Sequence, residues 1–236
     1  MGRDTVLLTG ASRGIGAAIA RRLTADGYTV VGLSRGPAEG CAHHRSVDLT
    51  AHTAKAELAA IGAEFGPCRL VANAGIVTLG AVADVSDEDF ETTMRLNVQS
   101  ILWAIQAVVP AMRAERFGRI VTIGSRAALG KVGRASYSTS KAAVTGLTRT
   151  MALELAPDAI TVNCVAPGPI DTEMYAVDQP PGSPAREAAL ARVPLRRMGQ
   201  PEEVAAAVAH LLSDEAGYTT GQALHVCGGL SVGITP

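Results

Sequence analysis

Short apolar runs alternate with longer segments whose apolar residues recur every three or four positions, from one end of the chain to the other. Residues 5–9 (TVLLT) are a continuous apolar run, the pattern of a strand buried on both faces. Ala17, Ile19, Ala20 and Leu23 follow at helical spacing, and Asp26-Gly27 supplies a glycine stop. The same reading predicts further strands at 29–33, 46–49, 69–72, 119–123, 161–165 and 223–226. Helices are predicted at 51–65, 137–155 and 201–212. A longer one opens at Ser86-Asp87-Glu88-Asp89, a capping-box arrangement, and runs to about 112, broken or bent near Pro110. Residues 34–45 are polar and contain Gly and Pro, so a loop is expected where a second crossover helix would stand. Strands alternating with helices imply a parallel sheet covered on both faces, and right-handed crossovers make it doubly wound. The expectation is an α/β fold of about seven parallel strands. Residues 172–198, rich in Pro and poor in strand formers, break the rhythm and read as a partly helical lid over the carboxyl edge of the sheet.

Composition narrows the picture. A chain of 236 residues, 47% hydrophobic and 18% charged, can bury one large core, so a single domain spanning 1–236 is expected. A net charge of -1 without a dense Lys/Arg run argues against nucleic-acid binding. No apolar run approaches the roughly 20 residues of a membrane span. Cys41, Cys68, Cys164 and Cys227 lack metal-ligand spacing and read as free thiols of a cytoplasmic protein. Met1-Gly2-Arg3-Asp4 leads straight into the first strand, which leaves no room for a signal peptide. The histidines at 43, 44, 52, 210 and 225 form no ligand pattern, so no metal is expected.

Two stretches carry chemistry. After the first strand comes a turn of Gly10, Ser12, Arg13, Gly14, Ile15 and Gly16 that opens a helix. A helix N-terminus offers unpaired N–H groups and partial positive charge to an anion. Gly10 permits the tight turn, Gly14 the approach of a phosphate, and Gly16 close packing of helix on strand. The second stretch is Tyr137-Ser138-Thr139-Ser140-Lys141. On a helix its Tyr and Lys lie one turn apart on one face, and the cation there is expected to lower the pKa of the phenol. Such a pair suits proton transfer, with Tyr137 donating to a developing alkoxide. Ser125, just past the fifth strand, can hydrogen-bond the substrate oxygen. Asn97 stands inside a helix, where asparagine is a poor former.

Thr9 followed by Gly-x3-Gly-x-Gly resembles the short-chain dehydrogenase/reductase family, and the resemblance covers nearly the whole chain. Asp48-Leu49 matches the family's adenine contact, and Asn73-Ala74-Gly75 its Asn-Ala-Gly motif, with Ala72 where a second asparagine is frequent. Asn97, Ser125, Tyr137 and Lys141 match its catalytic set in order. Pro167-Gly168, Ile170 and Thr172 match the segment that holds the nicotinamide carboxamide. Cys227 departs from the family, standing before Gly228-Gly229 where aspartate is frequent. The resemblance implies a Rossmann-type fold, with Lys141 on the nicotinamide ribose and Asn97 holding a water near the lysine. It also implies a homodimer or homotetramer built on the long helices, whose Ala142, Ala143 and Gly146 permit close packing. The 3-oxoacyl-carrier-protein reductases are the nearest likeness, with small-molecule or acyl substrates.

The cofactor follows from the end of the second strand. An acidic residue there would favour NAD; this chain has Ser34-Arg35, with Arg13 nearby in the glycine turn. Two guanidiniums suit a 2′-phosphate, so NADP(H) is favoured over NAD(H). The substrate pocket is expected to involve Arg126, Leu129, residues 76–80, Met174, Tyr175 and Val177. Asp171 and Glu173 read as lid-stabilising rather than as a catalytic pair. An NAD-dependent alcohol dehydrogenase and a nucleotide-binding regulatory protein without activity are the alternatives.

Overall fold

A computed structural model describes residues 2–232, with only the backbone described at 178. Seven strands form one sheet: β1 (Thr5–Thr9), β2 (Thr29–Ser34), β3 (His43–Ser46), β4 (Arg69–Ala72), β5 (Gly118–Ile123), β6 (Ile160–Pro167) and β7 (Ala223–Val226). Their spatial order is β3-β2-β1-β4-β5-β6-β7, and every adjacent pair is parallel. The order reverses between β1 and β4, which opens a crevice at the carboxyl edge of those strands.

Alternate residues along each strand feed two separate cores. Leu7, Val31, Leu33, Leu70, Ile120 and Val162 face α2 (Ala54–Phe65), α4 (Ser100–Glu115) and α5 (Ala135–Leu155). Val6, Leu8, Val30, Val71, Val121 and Val165 face α1 (Gly14–Ala25) and α8 (Pro201–Leu212). Burial on both faces explains why the strands read as continuous apolar runs rather than as alternating ones. No helix intervenes between β2 and β3, as expected from residues 34–45.

Two expectations are corrected. The third strand lies at His43–Ser46, not at 46–49. Its pattern is polar because it is an edge, pairing Val31 with His43 and Ser34 with Ser46. Val47 and Leu49, which carried the apolar signal, are buried core residues of the loop that follows. The second correction concerns Pro110, which sits inside α4 without ending it. Pro110 and residue 106 are both exposed, so water can solvate the carbonyl that the missing N–H leaves. The irregularity lies earlier: α3 (Asp87–Met94) passes into a π-helical stretch, Arg95–Gln99, before α4 begins. Ser86 caps α3, its hydroxyl accepting from the Asp89 N–H at 3.1 Å. Residues 172–198 carry α6 (Glu173–Asp178) and α7 (Pro184–Ala191).

Candidate active site

The glycine turn is built by steric exclusion. Gly10 and Gly14 adopt positive φ of 68° and 53°, a region in which other residues are strained. A Cβ on Gly16 would lie 1.9 Å from the Gly10 carbonyl oxygen, so only glycine lets the helix approach the strand this closely. Asn73 locks the turn from the side, its Nδ2 donating to the carbonyls of Thr9 (3.1 Å) and Gly10 (2.9 Å). The Thr9 hydroxyl completes the lock by accepting from the N–H groups of Asn73 and Ala74, both at 3.0 Å. No side chain caps α1 at Arg13, which leaves its first-turn N–H groups facing a cleft of about 1620 Å³. The cleft runs over the carboxyl ends of the central strands and reaches residues of the 172–192 stretch.

The second half of the site hangs on Asn97. Its Oδ1 accepts from the Ile76 N–H at 2.8 Å, while Nδ2 donates to the Ile76 carbonyl (2.9 Å) and to Ser140 Oγ (3.0 Å). Ser140 in turn donates to the Tyr137 carbonyl at 2.7 Å. Asn97 is fully buried, and these bonds satisfy it at the centre of the π stretch, where the Ser100 N–H reaches back to the Arg95 carbonyl. The π geometry turns this side chain off the regular helical path, and such stretches recur at functional sites.

Lys141 is buried and donates to the Ile123 carbonyl at 2.8 Å. Burial pulls its pKa down from 10.5 to about 8. Tyr137 is half-buried and hydrogen-bonded to the Ser125 hydroxyl. The sequence-level idea that Lys141 lowers the Tyr137 pKa is corrected here. Burial pushes the phenol up, and the opposing influences are Ser125 and Arg134. The Lys141 ammonium stands 5.8 Å from the centre of the Tyr137 ring, with its bond directed at Ile123 instead. Tyr137 is therefore held as a protonated phenol at neutral pH. Ser125 is itself held in place, accepting from the Ala127 N–H at 3.1 Å as it caps a 3₁₀ turn, Arg126–Leu129.

A family model described as enoyl-(acyl carrier protein) reductase matches residues 10–231. The 3-oxoacyl-[acyl-carrier-protein] reductase of Salmonella typhimurium is 40% identical, over 95% of this chain and 96% of that protein. The chain belongs to the short-chain dehydrogenase/reductase family. Among solved structures, the ligand-free aldohexose dehydrogenase of Thermoplasma acidophilum is 36% identical, with a TM-score of 0.88 over 98% of this chain and 96% of that one. An NAD(P)-dependent gluconate 5-dehydrogenase from Beutenbergia cavernae, solved with NADP at low occupancy, is 32% identical, with a TM-score of 0.91 over 97% of each chain. Members of this family with this fold are oxidoreductases, and that is the class to which the present chain belongs.

Nearly all the residues singled out for this family fold line this cleft. Gly10, Ser12, Arg13, Gly14, Ile15 and Gly16 meet Ser34, Arg35, Asp48 and Leu49 at one end. Asn73, Ala74, Gly75, Ser125, Tyr137 and Lys141 lie with Pro167, Gly168, Ile170 and Thr172 further along. Asn97 stands behind the wall: a Cβ on Gly75 would lie 3.0 Å from its Oδ1 and 3.6 Å from the Lys141 Nζ. At the far end Ile76, Val77, Arg126, Leu129, Met174 and Tyr175 line the cleft as expected, whereas Thr78, Leu79, Gly80 and the exposed Val177 do not. Asp171 pairs with Arg186 at 2.7 Å and Glu173 approaches Arg13 at 3.9 Å, so each carboxylate faces an arginine.

Sequence reading missed Ser140, the link between Asn97 and the Tyr137 backbone. Its signal was a serine inside an otherwise Ala-rich helix, in the same five residues as the Tyr and Lys. It also missed Cys164, a buried thiol on β6 close enough to Lys141 for the two to influence each other's ionisation. The thiol is pushed up by burial. All four cysteines are free. Among the described residues, no His/Cys/Asp/Glu cluster could hold a metal, and no helix is long and apolar enough to cross a membrane.

Proposed function

We propose that this protein is an NADP(H)-dependent reductase that converts a ketone to a secondary alcohol. The observation that carries the reading is the coincidence, in one cleft, of a glycine-lined helix N-terminus and a phenol hydrogen-bonded to the Ser125 hydroxyl. The residues fit a dinucleotide. The uncapped first turn of α1 offers N–H groups to its pyrophosphate, and the glycines leave the space that a Cβ would fill. Lys141 has three donors and directs one at Ile123, which leaves two for ribose hydroxyls. Ile170 and Thr172, which line the same cleft after β6, would hold its carboxamide. When bound, the cofactor supplies the hydride.

The chain's own residues do the rest. Ser125 orients the ketone oxygen and donates a hydrogen bond to it as negative charge develops. Tyr137 passes its phenolic proton to that oxygen, completing the alcohol. The Ser125 hydroxyl and the Arg134 charge favour the resulting phenolate against burial, and a proton can reach it along the groups that Asn97 organises.

Arg35 and Arg13 support NADP(H). Both are exposed, and the position directly after β2, where an acidic residue would repel a 2′-phosphate, is held by Arg35. The relative from Beutenbergia cavernae holds NADP, which agrees. For the substrate, the Salmonella relative acts on 3-oxoacyl groups, and the apolar wall of Ile76, Val77, Leu129 and Met174 suits an acyl chain. Residues 172–198 serve as the lid. Ala142, Gly146 and Leu153 form an exposed stripe on α5, which supports self-association as a dimer or tetramer; light scattering tests this.

Transfer of deuteride from labelled NADPH to a panel of ketones tests the central claim. Wild-type protein is expected to give deuterated alcohols, and Tyr137→Phe is expected to bind NADPH normally but lose nearly all turnover. Substantial activity in Tyr137→Phe would remove the proton-donor role.

A further inference from the structure

Arg126 follows Ser125 directly and lines the cleft at the end where the ketone would lie. It is half-buried, and no hydrogen bond or ion pair engages its side chain among the described residues. Its planar fork of N–H donors is thus free of protein partners on the cleft wall, and that fork matches a carboxylate at two points. The neighbouring cations differ. Arg134 donates to the Gly133 carbonyl and Arg186 is paired with Asp171. The carboxylates that line the cleft, among the described residues, are Asp48 and Glu173. Asp48 is at the adenosine end, accepting from the N–H and hydroxyl of Thr50 at 2.9 and 2.7 Å. Glu173 is exposed and lies beside Arg13 at the glycine turn. The apolar residues Ile76, Val77, Leu129 and Met174 belong to the same cleft lining. Arg192, exposed on the segment after α7, adds a second unpaired cation to the same cleft.

We propose that Arg126 receives a carboxylate of the substrate, so that the preferred ketones are oxo acids rather than neutral acyl thioesters. This rests on the ketone-reduction reading above and narrows it. A guanidinium beside the orienting serine fixes the substrate at two points, the carbonyl oxygen on Ser125 and Tyr137 and the carboxylate on Arg126. Two-point attachment defines which face of the ketone is presented. The apolar wall then covers the carbon chain between or beyond them. A charge-assisted hydrogen bond in such a setting is worth on the order of 10- to 100-fold in kcat/KM.

The test compares 4-oxopentanoate and 5-oxohexanoate with their methyl esters, using NADPH and wild-type, Arg126→Leu and Arg126→Lys proteins. Wild type is expected to favour at least one acid over its ester by about 10- to 100-fold. Arg126→Leu should abolish that preference by raising KM for the acids far more than for the esters, bringing the acid-to-ester ratio of kcat/KM to about 1, and Arg126→Lys should restore part of it. Equal rates for acid and ester in wild type, or an equal loss for both in Arg126→Leu, would overturn the proposal. Calorimetry on Tyr137→Phe with NADPH separates binding from turnover. Tighter binding of the acids that disappears on adding Arg126→Leu supports the anion site even if no ketone is reduced, a result that would count against the reductase reading alone. Acid bound no more tightly than ester overturns the site.

Discussion

Lys141 is held in its place against its own solvation, and replacing it with Met should stabilise the protein. The ammonium is buried and its pKa falls from 10.5 to about 8. That gap corresponds to about 3 kcal/mol of destabilisation at neutral pH. Met fills similar volume without charge, but it forfeits the 2.8 Å bond to the Ile123 carbonyl, a loss of about 1 kcal/mol. Lys141→Met should therefore gain about 2 kcal/mol at pH 7, or about 4–8 °C in Tm for a chain of this size. The pH dependence gives a sharper signature. Between about pH 8 and 10.5 the unfolded chain binds a proton at Lys141 that the folded protein does not. Wild-type stability at this position thus rises with pH across that window, and it is lost again as pH falls through 8. Urea denaturation of both proteins from pH 7 to 10.5 should show the advantage of Lys141→Met shrinking steadily above pH 8. A difference that stays constant with pH, or a wild type more stable at pH 7, would refute the reasoning. The variant should have no reductase activity, so the same lysine that weakens the fold serves the chemistry.

Gly16→Ala places a methyl group 1.9 Å from the Gly10 carbonyl oxygen and should cost at least about 3 kcal/mol in thermal or urea unfolding; a near-neutral effect would mean that the turn can relax. Asn97→Ala orphans both backbone groups of Ile76 and should cost about 2–4 kcal/mol along with most of kcat, read by urea unfolding and steady-state kinetics. Arg35→Asp should raise the Kd for NADPH by about 10- to 100-fold and leave NADH nearly unchanged, measured by cofactor fluorescence; an unaltered cofactor ratio in Arg13/Arg35 double variants would sink the NADP(H) assignment. Arg186→Met removes the 2.7 Å pair with Asp171 and should make residues 172–198 more sensitive to limited proteolysis, with a higher KM.

The sheet was legible because its central strands are buried on both faces, so TVLLT and its counterparts stand out as unbroken apolar runs. The edge strand was not legible, because His43–Ser46 has water on one side and its hydrophobic neighbours Val47 and Leu49 belong to the loop. The glycine turn could be read from spacing, since only glycine satisfies positions such as Gly16. The ionisation state of Tyr137 could not: helical spacing placed Lys141 on the correct face, but the direction of its hydrogen bond depends on β5, which is remote in sequence. Pro110 misled for a related reason. Its effect depends on which side of α4 faces solvent, and that is settled by packing rather than by the local sequence.

The π stretch at Arg95–Gln99 has a consequence for how this chain tolerates length changes. A π turn amounts to one additional residue inserted into a regular helix. Deleting a single residue between 95 and 99 would let the segment revert to α-helix, because the wider turn is what absorbs the extra residue, and the rotational setting of α4 would be nearly kept. Ile101, Ala104, Ile105, Val108 and Met112 would stay packed in their core, while Asn97 would lose the offset that aims it at Ile76 and Ser140. A deletion here should therefore spare the fold and disconnect the site, whereas the same deletion within α4 would rotate every residue beyond it by about 100° and break the core.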